Sequence, residues 1–339
     1  MSSDLTLVER RAWHPVALST SVAEAPQPAL LMGEPLVLWR EAGGVVKVCA
    51  DRCPHRGARL SLGCVRHDGP FAQLECPYHG WRFDGDGQLV VVPALTGFMP
   101  PASHRATVYD AVERHGLVWA RLLPKREHEP PAFAAEDDLH LRKLDGGPYD
   151  VATSAPRIVE NFLDIAHFGF VHEGWLGDRN HTALADYRVD ATATGLLATR
   201  CKAWQPRSSV HAQGGADVEY TYEVNAPYTA ILTKDPAAAS APLTNLREAI
   251  ALFICPLTPE TSRVWFRLAV TDFDSPDATL QALQHTIFMQ DQPVLESQSP
   301  KCLPVSEHAP VRELHGAADR SATAYRRFLR DGGITYGTC

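Results

Sequence analysis

Long hydrophobic runs are absent from this 339-residue sequence, and positive charge is in the minority. No stretch approaches the roughly 18 consecutive apolar residues that a membrane-crossing helix needs, and the first residues lack the apolar core of a secretory signal peptide. Lys and Arg number 32 against 40 Asp and Glu, a net charge of −8, which argues against nucleic acid or an anionic membrane as the partner. These features predict a cytoplasmic protein that does not use a membrane.

Cysteine is sparse, and the glycine fingerprints of nucleotide sites are missing. Eight cysteines in a chain of this length are too few for a disulfide scaffold and indicate metal binding, catalysis or burial in a reducing compartment. No glycine cluster completes a Gly-x-Gly-x-x-Gly or P-loop pattern, and no plant-type ferredoxin spacing is present. Any electrons that the chemistry needs are therefore expected to come from separate proteins.

The composition is that of a folded globular protein with two domains. Apolar residues make up 45% and charged residues 21%, which excludes disorder, collagen and a coiled coil. A charged segment with several prolines follows residue 124 and has the composition of a linker. We therefore expect a first domain over residues 1–124, a linker over 125–148 and a second domain over 149–339.

Short strands and turns are predicted throughout the first domain. Residues 36–40 and 45–48 flank two glycines, and residues 81–83 and 88–92 flank Asp-Gly-Asp-Gly, as in two hairpins. A further strand is predicted at 116–123. These patterns indicate an all-β N-terminal domain.

The second domain mixes helices with strands. Helical patterns are predicted at 155–170, 277–297 and 319–330, and alternating apolar patterns predict strands at 218–224 and 264–270. The fold class expected for the whole chain is therefore α+β.

Two Cys-His pairs stand between the predicted hairpins. Cys53-x-His55 is separated by twenty residues from Cys76-x-x-His79. A zinc finger normally takes both cysteines from one segment and both histidines from the other, whereas here each segment offers one of each. That arrangement suits a Rieske [2Fe–2S] cluster, in which two Cys bind one iron and two His the other. A zinc ribbon and simple core packing remain alternatives.

The same two segments resemble a known family. Cys53-Pro-His-Arg-Gly and Cys76-Pro-Tyr-His-Gly-Trp resemble the cluster motif of the Rieske non-haem iron oxygenases, specifically of their terminal oxygenase (alpha) component. The resemblance implies an N-terminal all-β Rieske domain followed by a catalytic domain with a helix-grip-like antiparallel sheet.

A second group of metal-ligand residues follows in the first predicted helix. Asp164 and His167 are three residues apart and would share a helix face. His167 and His172 are five apart, which places them roughly 140° apart on a regular helix, too divergent to bind one ion. The helix must therefore end or widen between them, and Gly169 is placed to allow it.

A carboxylate would complete a 2-His-1-carboxylate site, which leaves positions on Fe(II) open for O₂. Asp291 is the candidate, because it lies on the apolar stripe of the helix predicted at 277–297, formed by Leu280, Leu283, Ile287 and Leu295. A buried carboxylate needs a metal or a cation to neutralise it. Glu296 and Asp274 are alternatives, and so is a group of histidines and an acid that merely satisfy one another.

The resemblance assigns roles to these residues. Segment 161–172 matches the family pattern Asn-x-x-Asp-x-x-His-x-x-x-x-His, in which Asn161 and Asp164 are the catalytic-site residues beside the ligands. It implies that His167, His172 and Asp291 bind a mononuclear Fe(II). It also implies a homotrimer in which Asp164 bridges His167 and His79 of the partner subunit.

The function implied is that of a terminal oxygenase. Electrons would come from an external NAD(P)H-dependent reductase or ferredoxin, and O₂ would be used to hydroxylate a C–H bond of a small polycyclic, heterocyclic or aromatic molecule. The length and compact C-terminal half resemble the dicamba and methylxanthine demethylases, and stretches 172–180 and 323–339 resemble the hydroxylases of saxitoxin-type alkaloids. Oxidative N- or O-demethylation, ring cis-dihydroxylation and simple electron carriage are the alternatives. Four residues could line a substrate pocket or pack in the core: Phe162, Phe170, Phe288 and Met289.

Overall fold

The computed structural model describes residues 7–41, 43–68, 71–125, 129–206, 214–235 and 247–339. The chain forms two compact units, of which the first runs from Arg10 to Pro130 and the second from Pro131 to Cys339 together with Leu7–Glu9. Part of the predicted linker, residues 126–128, lies outside the described residues.

The first unit is built from antiparallel strands. The strands are β1 (His14–Leu18), β2 (Gln27–Leu31), β3 (Glu34–Arg40), β4 (Val46–Ala50), β5 (Cys64–Arg66), β6 (Gln73–Glu75), β7 (Arg82–Phe83), β8 (Leu89–Val91), β9 (Val108–Arg114) and β10 (Leu117–Arg121). One sheet has the order β1-β10-β9-β4-β3-β2 and a smaller one the order β5-β6-β7-β8.

Both predicted hairpins are present in this unit. Strands β3 and β4 pair with Leu38 opposite Val48, and β7 pairs with β8 across the Asp-Gly-Asp-Gly turn. Trp39 of the larger sheet and Phe83 of the smaller one belong to a single buried cluster that also contains Cys53 and Cys76. The expectation of an all-β N-terminal domain is confirmed.

The second unit combines a seven-stranded antiparallel sheet with helices. The elements are β11 (Arg142–Val151), α1 (Ala155–Leu163), α2 (Phe168–Val171), β12 (Arg188–Ala191), β13 (Leu196–Gln205), β14 (Ala216–Ala226), β15 (Thr229–Lys234), β16 (Glu248–Thr258), β17 (Thr261–Val270), α3 (Asp277–Ser297) and α4 (Arg320–Asp331). The strand order in the sheet is β11-β17-β16-β15-β14-β13-β12. Helix α3 contacts β11, α1 contacts β15 and β16, and α4 contacts β12 and β13.

The predicted linker over 125–148 differs from the structure at its C-terminal end. Residues 142–148 belong to β11, which pairs with β17 so that Leu144 lies opposite Leu268. The Gly146-Gly147-Pro148 stretch has the composition of a loop, but it is accommodated as an irregularity within the strand pairing. The sheet therefore begins earlier than the composition indicates.

The helix predicted at 155–170 is also interrupted. Helix α1 ends at Leu163, and Asp164 adopts an extended conformation with φ −89° and ψ 131°, so Asp164 and His167 do not share a helix face. Helix α3 has the predicted bounds, and α4 is shifted by one residue from the prediction. None of the helices formed by the described residues is long and apolar enough to cross a membrane.

Candidate metal centres

The two Cys-His segments form loops with the same backbone pattern. In the first loop, the Gly57 N–H donates to the Cys53 carbonyl (2.8 Å) and the Cys53 N–H to the Ala58 carbonyl (2.8 Å). In the second loop, the Gly80 N–H donates to the Cys76 carbonyl (3.1 Å) and the Cys76 N–H to the Trp81 carbonyl (2.8 Å). Each cysteine therefore opens a tight turn that contains the histidine of the same pair.

A left-handed glycine closes each of these turns. Gly57 has φ +74° and Gly80 has φ +65°, a region that costs an L-residue roughly 1–2 kcal/mol. A Cβ on Gly57 would meet only the Arg52 side chain, at 3.6 Å or more. At Gly57 the turn conformation, rather than close approach to a sulfur, is what requires glycine.

The four candidate ligands form a compact donor set. Cys53 and Cys76 are buried, and the rings of His55 and His79 lie 4.6 Å apart. Trp81 stacks on His55 at 4.2 Å, nearly parallel, and fixes that ring. The Nδ1 atom of His55 is buried with no hydrogen-bond partner among the described residues.

The pKa shifts of this set favour the neutral thiol and the neutral imidazole. Burial, with a further contribution from Cys76, raises the pKa of the Cys53 thiol to about 11. Burial and the nearby His79 lower the pKa of His55. Two thiolates at this site need a positive centre to neutralise them, and the orphaned Nδ1 of His55 offers a neutral imidazole ligand. Two sulfur and two nitrogen donors from paired loops fit a Rieske cluster.

The second centre is a triangle of three donor atoms. His167 Nε2 lies 3.2 Å from His172 Nε2 and 3.4 Å from Asp291 Oδ1, and His172 Nε2 lies 3.2 Å from the same oxygen. Ligands bound at about 2.1 Å and at right angles to one another are separated by about 3 Å. The triangle therefore has the dimensions of one face of a metal's coordination sphere.

The interruption of the helix after α1 makes this triangle possible. The Ala166 N–H donates to Asp164 Oδ1 at 2.8 Å, which turns the backbone, so that α2 becomes a single separate turn with His167 and His172 at its two ends. Helix α1 is interrupted at Asp164, before both histidines, and the change predicted between them is the end of α2 at Val171 rather than a break at Gly169. Gly169 lies inside α2, where a Cβ would approach the Asp178 carbonyl to 3.0 Å.

Each histidine is oriented by a hydrogen bond from its other ring nitrogen. His167 Nδ1–H donates to Asp164 Oδ2 at 3.1 Å, and His172 Nδ1–H donates to Gln290 Oε1 at 2.8 Å. Such bonds fix the tautomer and leave Nε2 as a lone-pair donor. Two lone pairs that face each other at 3.2 Å repel unless a cation or a proton lies between them, so the arrangement suits a bound metal ion.

Asp291 is the carboxylate that the fold brings to this point. Its side chain is buried with 8% exposure, and the Asn161 amide donates to its Oδ1 at 3.3 Å. Neither predicted alternative reaches the triangle, because Glu296 accepts hydrogen bonds from the Ala152 N–H and from Gln292, and Asp274 is exposed. Among the described residues, the cluster His167, His172 and Asp291 is the one group whose ligand atoms all lie within 4.8 Å of one another.

The acid–base balance of the site follows from its hydrogen bonds. Burial works to raise the pKa of Asp164, but the hydrogen bond and charge of His167 outweigh it and lower that pKa. Burial works to lower the pKa of His172, but Asp291 and Gln290 outweigh it and raise that pKa. The carboxylate form of Asp164 is therefore favoured.

A cavity of about 780 Å³ opens onto the triangle and contains all three of its residues in its wall. Phe162 and Phe288 line it as the pocket hypothesis requires, whereas Phe170 and Met289 are exposed and lie outside its wall.

Sequence reasoning did not identify Gln290 as a functional residue. Its position next to Asp291 was the available signal, but a glutamine on a helix has no distinctive pattern.

Comparison with known proteins defines the class. Residues 12–106 match the Rieske [2Fe-2S] domain, and residues 151–331 match the vanillate O-demethylase oxygenase C-terminal domain. The chain therefore belongs to the Rieske non-haem iron oxygenases, as its motifs predicted. It is an oxidoreductase whose cofactors are a Rieske [2Fe–2S] cluster and a mononuclear iron.

The relatives include demethylases that cover nearly the whole chain. Methylxanthine N1-demethylase NdmA of Pseudomonas putida is 31% identical over 95% of this chain and 88% of its own length, and methylxanthine N3-demethylase NdmB of the same species is 29% identical over 96% and 94%. The structure of Pseudomonas putida NdmA with caffeine superposes with a TM-score of 0.79 at 29% identity, covering 95% of this chain and 90% of that one. Dicamba monooxygenase shares the fold, with a TM-score of 0.77, 23% identity and coverage of 96% and 98%.

Proposed function

We propose that this chain is a terminal oxygenase in which Cys53, His55, Cys76 and His79 hold the Rieske cluster. His167, His172 and Asp291 hold the mononuclear iron. The observation that carries the second assignment is the triangle of donor atoms with edges of 3.2–3.4 Å, with both histidines held through Nδ1. Neither a zinc ribbon nor an electron carrier needs this second metal site.

The chain's own residues prepare the site for oxygenation. An iron bound there supplies the open coordination positions at which O₂ is activated. The apolar walls of the cavity hold the substrate and exclude water. Asp164 holds His167, and Asn161 holds Asp291, so both residues keep ligands in place as the substrate binds.

Electrons are proposed to reach the iron between subunits of a homotrimer. The His79 imidazole is exposed, and the Asp164 side chain keeps 35% exposure while it holds His167. A carboxylate in that position is available for His79 of the partner subunit. Sedimentation analysis tests the assembly, and a fully active monomer would remove this proposal.

The reaction is proposed to be monooxygenation of a methyl or ring C–H bond in a small heterocyclic or aromatic molecule. One oxygen atom of O₂ is inserted into the C–H bond and the other leaves as water, with two electrons and two protons consumed. Insertion at an N- or O-methyl group gives a hydroxymethyl product that releases formaldehyde. The named demethylases among the relatives favour this alternative. An external NAD(P)H-dependent reductase or ferredoxin, in the cytoplasm, supplies the electrons.

Metal analysis and oxygen uptake test the proposal together. The purified protein should be red-brown, with two cluster irons, their two sulfides and one further iron per chain. With a surrogate reductase, uptake of O₂ should depend on substrate across a panel of N-methyl, O-methyl and alkaloid compounds, with formaldehyde measured alongside. A colourless protein with stoichiometric zinc would contradict the proposal, and so would a coloured one without the third iron.

A further inference from the structure

A second cavity, of about 600 Å³, lies in the second unit and is lined by arginine. Four arginine side chains belong to its wall and come from three elements: Arg188 from strand β12, Arg200 from β13, and Arg320 and Arg327 from helix α4. The proposed iron ligands are not part of this wall. The cavity is therefore a separate feature of the fold, and it concentrates cations in a chain whose net charge is −8.

The charges around this cavity do not cancel. Two ion pairs are present, each at 2.6 Å, namely Arg188 with Asp190 and Arg320 with Asp186. Among the described residues, Arg200 and Arg327 form no ion pair and no side-chain hydrogen bond. Four positive and two negative side chains leave a surplus of two positive charges. The cavity is therefore cationic, and two of its guanidinium groups are available to an anion.

A β-bulge brings Arg200 to this cavity. From Ala198 to Cys201, strand β13 advances three positions while its partner β14 advances two. Ala198 and Cys201 are both buried, whereas Arg200 between them is exposed. Regular alternation from Ala198 would turn Arg200 to the buried face. The extra residue of the bulge is therefore what places this side chain at the surface.

The backbone of Arg200 is strained in this arrangement. Its φ is +59°, in the left-handed region that costs a residue such as arginine roughly 1–2 kcal/mol. Strained conformations of this kind are concentrated at functional sites, where the surrounding structure fixes them. Because the side chain has no ion pair or hydrogen bond within the described part of the chain, no such contact offsets the strain. This favours a role for Arg200 in binding over a role in stability.

Helix α4 presents its cavity residues on one face. Arg320, Thr323 and Arg327 are spaced by three and four positions, so they share a face, and all three line the cavity. Arg320 is fixed by more than its ion pair, because its Nη1 donates to the Tyr187 carbonyl at 2.7 Å and its guanidinium lies 5.9 Å from the centre of the Tyr187 ring. The helix therefore supplies one anchored arginine and one unpaired arginine to the same wall.

We propose that this cavity binds a small organic anion that carries two carboxylate or phosphate groups. Arg200 and Arg327 each pair with one acidic group of the ligand, in the planar geometry that guanidinium groups form with carboxylate and phosphate. The volume of the cavity falls within the range of small-molecule sites, roughly 300–1,000 Å³, which favours a small anion over the acidic surface of a protein. The inference is independent of the proposed function, because no iron ligand takes part in it.

Two matched pairs of probes test this site by calorimetric titration of the holoenzyme at low salt. Succinate and butyrate have chains of the same length but differ by one carboxylate, and fructose 1,6-bisphosphate and fructose 6-phosphate differ by one phosphate. At least one of the doubly acidic probes should bind with a Kd below about 1 mM, and its singly acidic counterpart about tenfold more weakly. The pair that shows this preference distinguishes a carboxylate ligand from a phosphate ligand.

Variants place the binding in this cavity. Arg200→Gln and Arg327→Gln should each weaken binding of the preferred probe about fivefold. Arg330→Gln is the matched control, because it removes the same charge from the same helix but lies outside the cavity wall, and it should bind as the wild type does. Arg200→Asn should lose the ligand while its denaturation midpoint stays at or above that of the wild type, since asparagine tolerates the left-handed region.

Three binding results would overturn the inference: a Kd above about 1 mM for both doubly acidic probes, equal affinity for the members of each pair, or equal weakening by Arg330→Gln. An Arg200→Asn variant less stable than the wild type would also overturn it, because the arginine would then be structural. If both doubly acidic probes fail to bind, but Arg200→Gln and Arg327→Gln slow turnover driven by a reductase, the surface belongs to an acidic protein instead.

Discussion

Gln290 Oε1 lies 2.8 Å from Nδ1 of His172, and this contact joins helix α3 to the short turn that carries both histidines. Because Nδ1 then holds the proton, Nε2 of His172 is left free to face Asp291 Oδ1 at 3.2 Å. One helix therefore supplies both a proposed ligand and the group that sets the tautomer of another proposed ligand.

Replacing Gln290 by Leu should weaken iron binding about 10–100-fold, because His172 loses the acceptor that fixes its ring. Competition with a chelator, followed by iron analysis, measures the effect. Gln292→Leu is the matched control, since Gln292 bonds to the Asp150 carbonyl and to Glu296 and should leave iron affinity unchanged. Equal iron retention in both variants would exclude a role for Gln290.

Asp291→Ala should keep the red-brown colour and abolish turnover, because one of the three iron ligands is removed while the cluster loops are untouched. Substrate-dependent O₂ uptake and iron content give the result. Glu296→Gln should keep activity, since an amide oxygen still accepts the Ala152 N–H. Loss of iron in the Glu296 variant instead would transfer the ligand role to that residue.

Asp164→Asn should leave both metals bound and slow electron transfer between them. The amide oxygen can keep the His167 Nδ1–H bond, while the NH₂ group replaces the oxygen that accepts the Ala166 N–H, and the negative charge proposed to connect the two centres is lost. Single-turnover kinetics of the reduced protein report the transfer rate. Asp178→Asn alters a similar Asp-His pair, with His181 three residues on, and should have wild-type kinetics. Identical rates in the two variants would discard the bridge.

His55→Cys should lower the cluster potential by an amount on the order of 200 mV or more, because an anionic thiolate replaces a neutral imidazole on one iron. A spectroscopic redox titration measures it. Cys64 lies outside the donor set and contacts Glu75, so Cys64→Ser should titrate as the wild type does. A potential unaltered by the His55 change would contradict its assignment as a ligand.

Gly57→Ala should destabilise the first unit by roughly 1–2 kcal/mol, since the left-handed turn at φ +74° strains an alanine. Gly57→Asn should lose less, because asparagine tolerates this region. The rate of cluster loss on heating and the denaturation midpoint compare the two. An alanine variant as stable as the wild type would show that the turn relaxes.

Hydrophobic periodicity was sufficient to predict helix α3 but not the interruption of the helix predicted at 155–170. The bounds of α3 were predictable because its apolar residues recur every three or four positions, although Leu283 and Ile287 of that stripe line the cavity instead of being fully buried. The break at Asp164 was not predictable at its position. It depends on a local side-chain bond to the Ala166 N–H that competes with helical geometry.

Candidate ligands could be proposed from the sequence where chemistry restricts the residue type, as with Cys53, His55 and Asp291. The residues that orient those ligands are ordinary amides and carboxylates, which occur throughout the sequence. Gln290 acquires a role only when the fold brings α3 beside the turn that carries His172, and no local pattern encodes that approach.

The order of the donor residues along the chain has a consequence for maturation. The loops of Cys53 and Cys76 lie in a unit that ends at Pro130, whereas the triangle is incomplete until α3 delivers Asp291. Because domains fold in the order of synthesis, the sulfur-containing cofactor can be inserted into a nascent chain that is still attached to the ribosome. The proposed mononuclear iron, by contrast, can be bound only after α3 has been synthesised and folded, so a chain that already holds its cluster can still lack the second metal and be coloured but inactive.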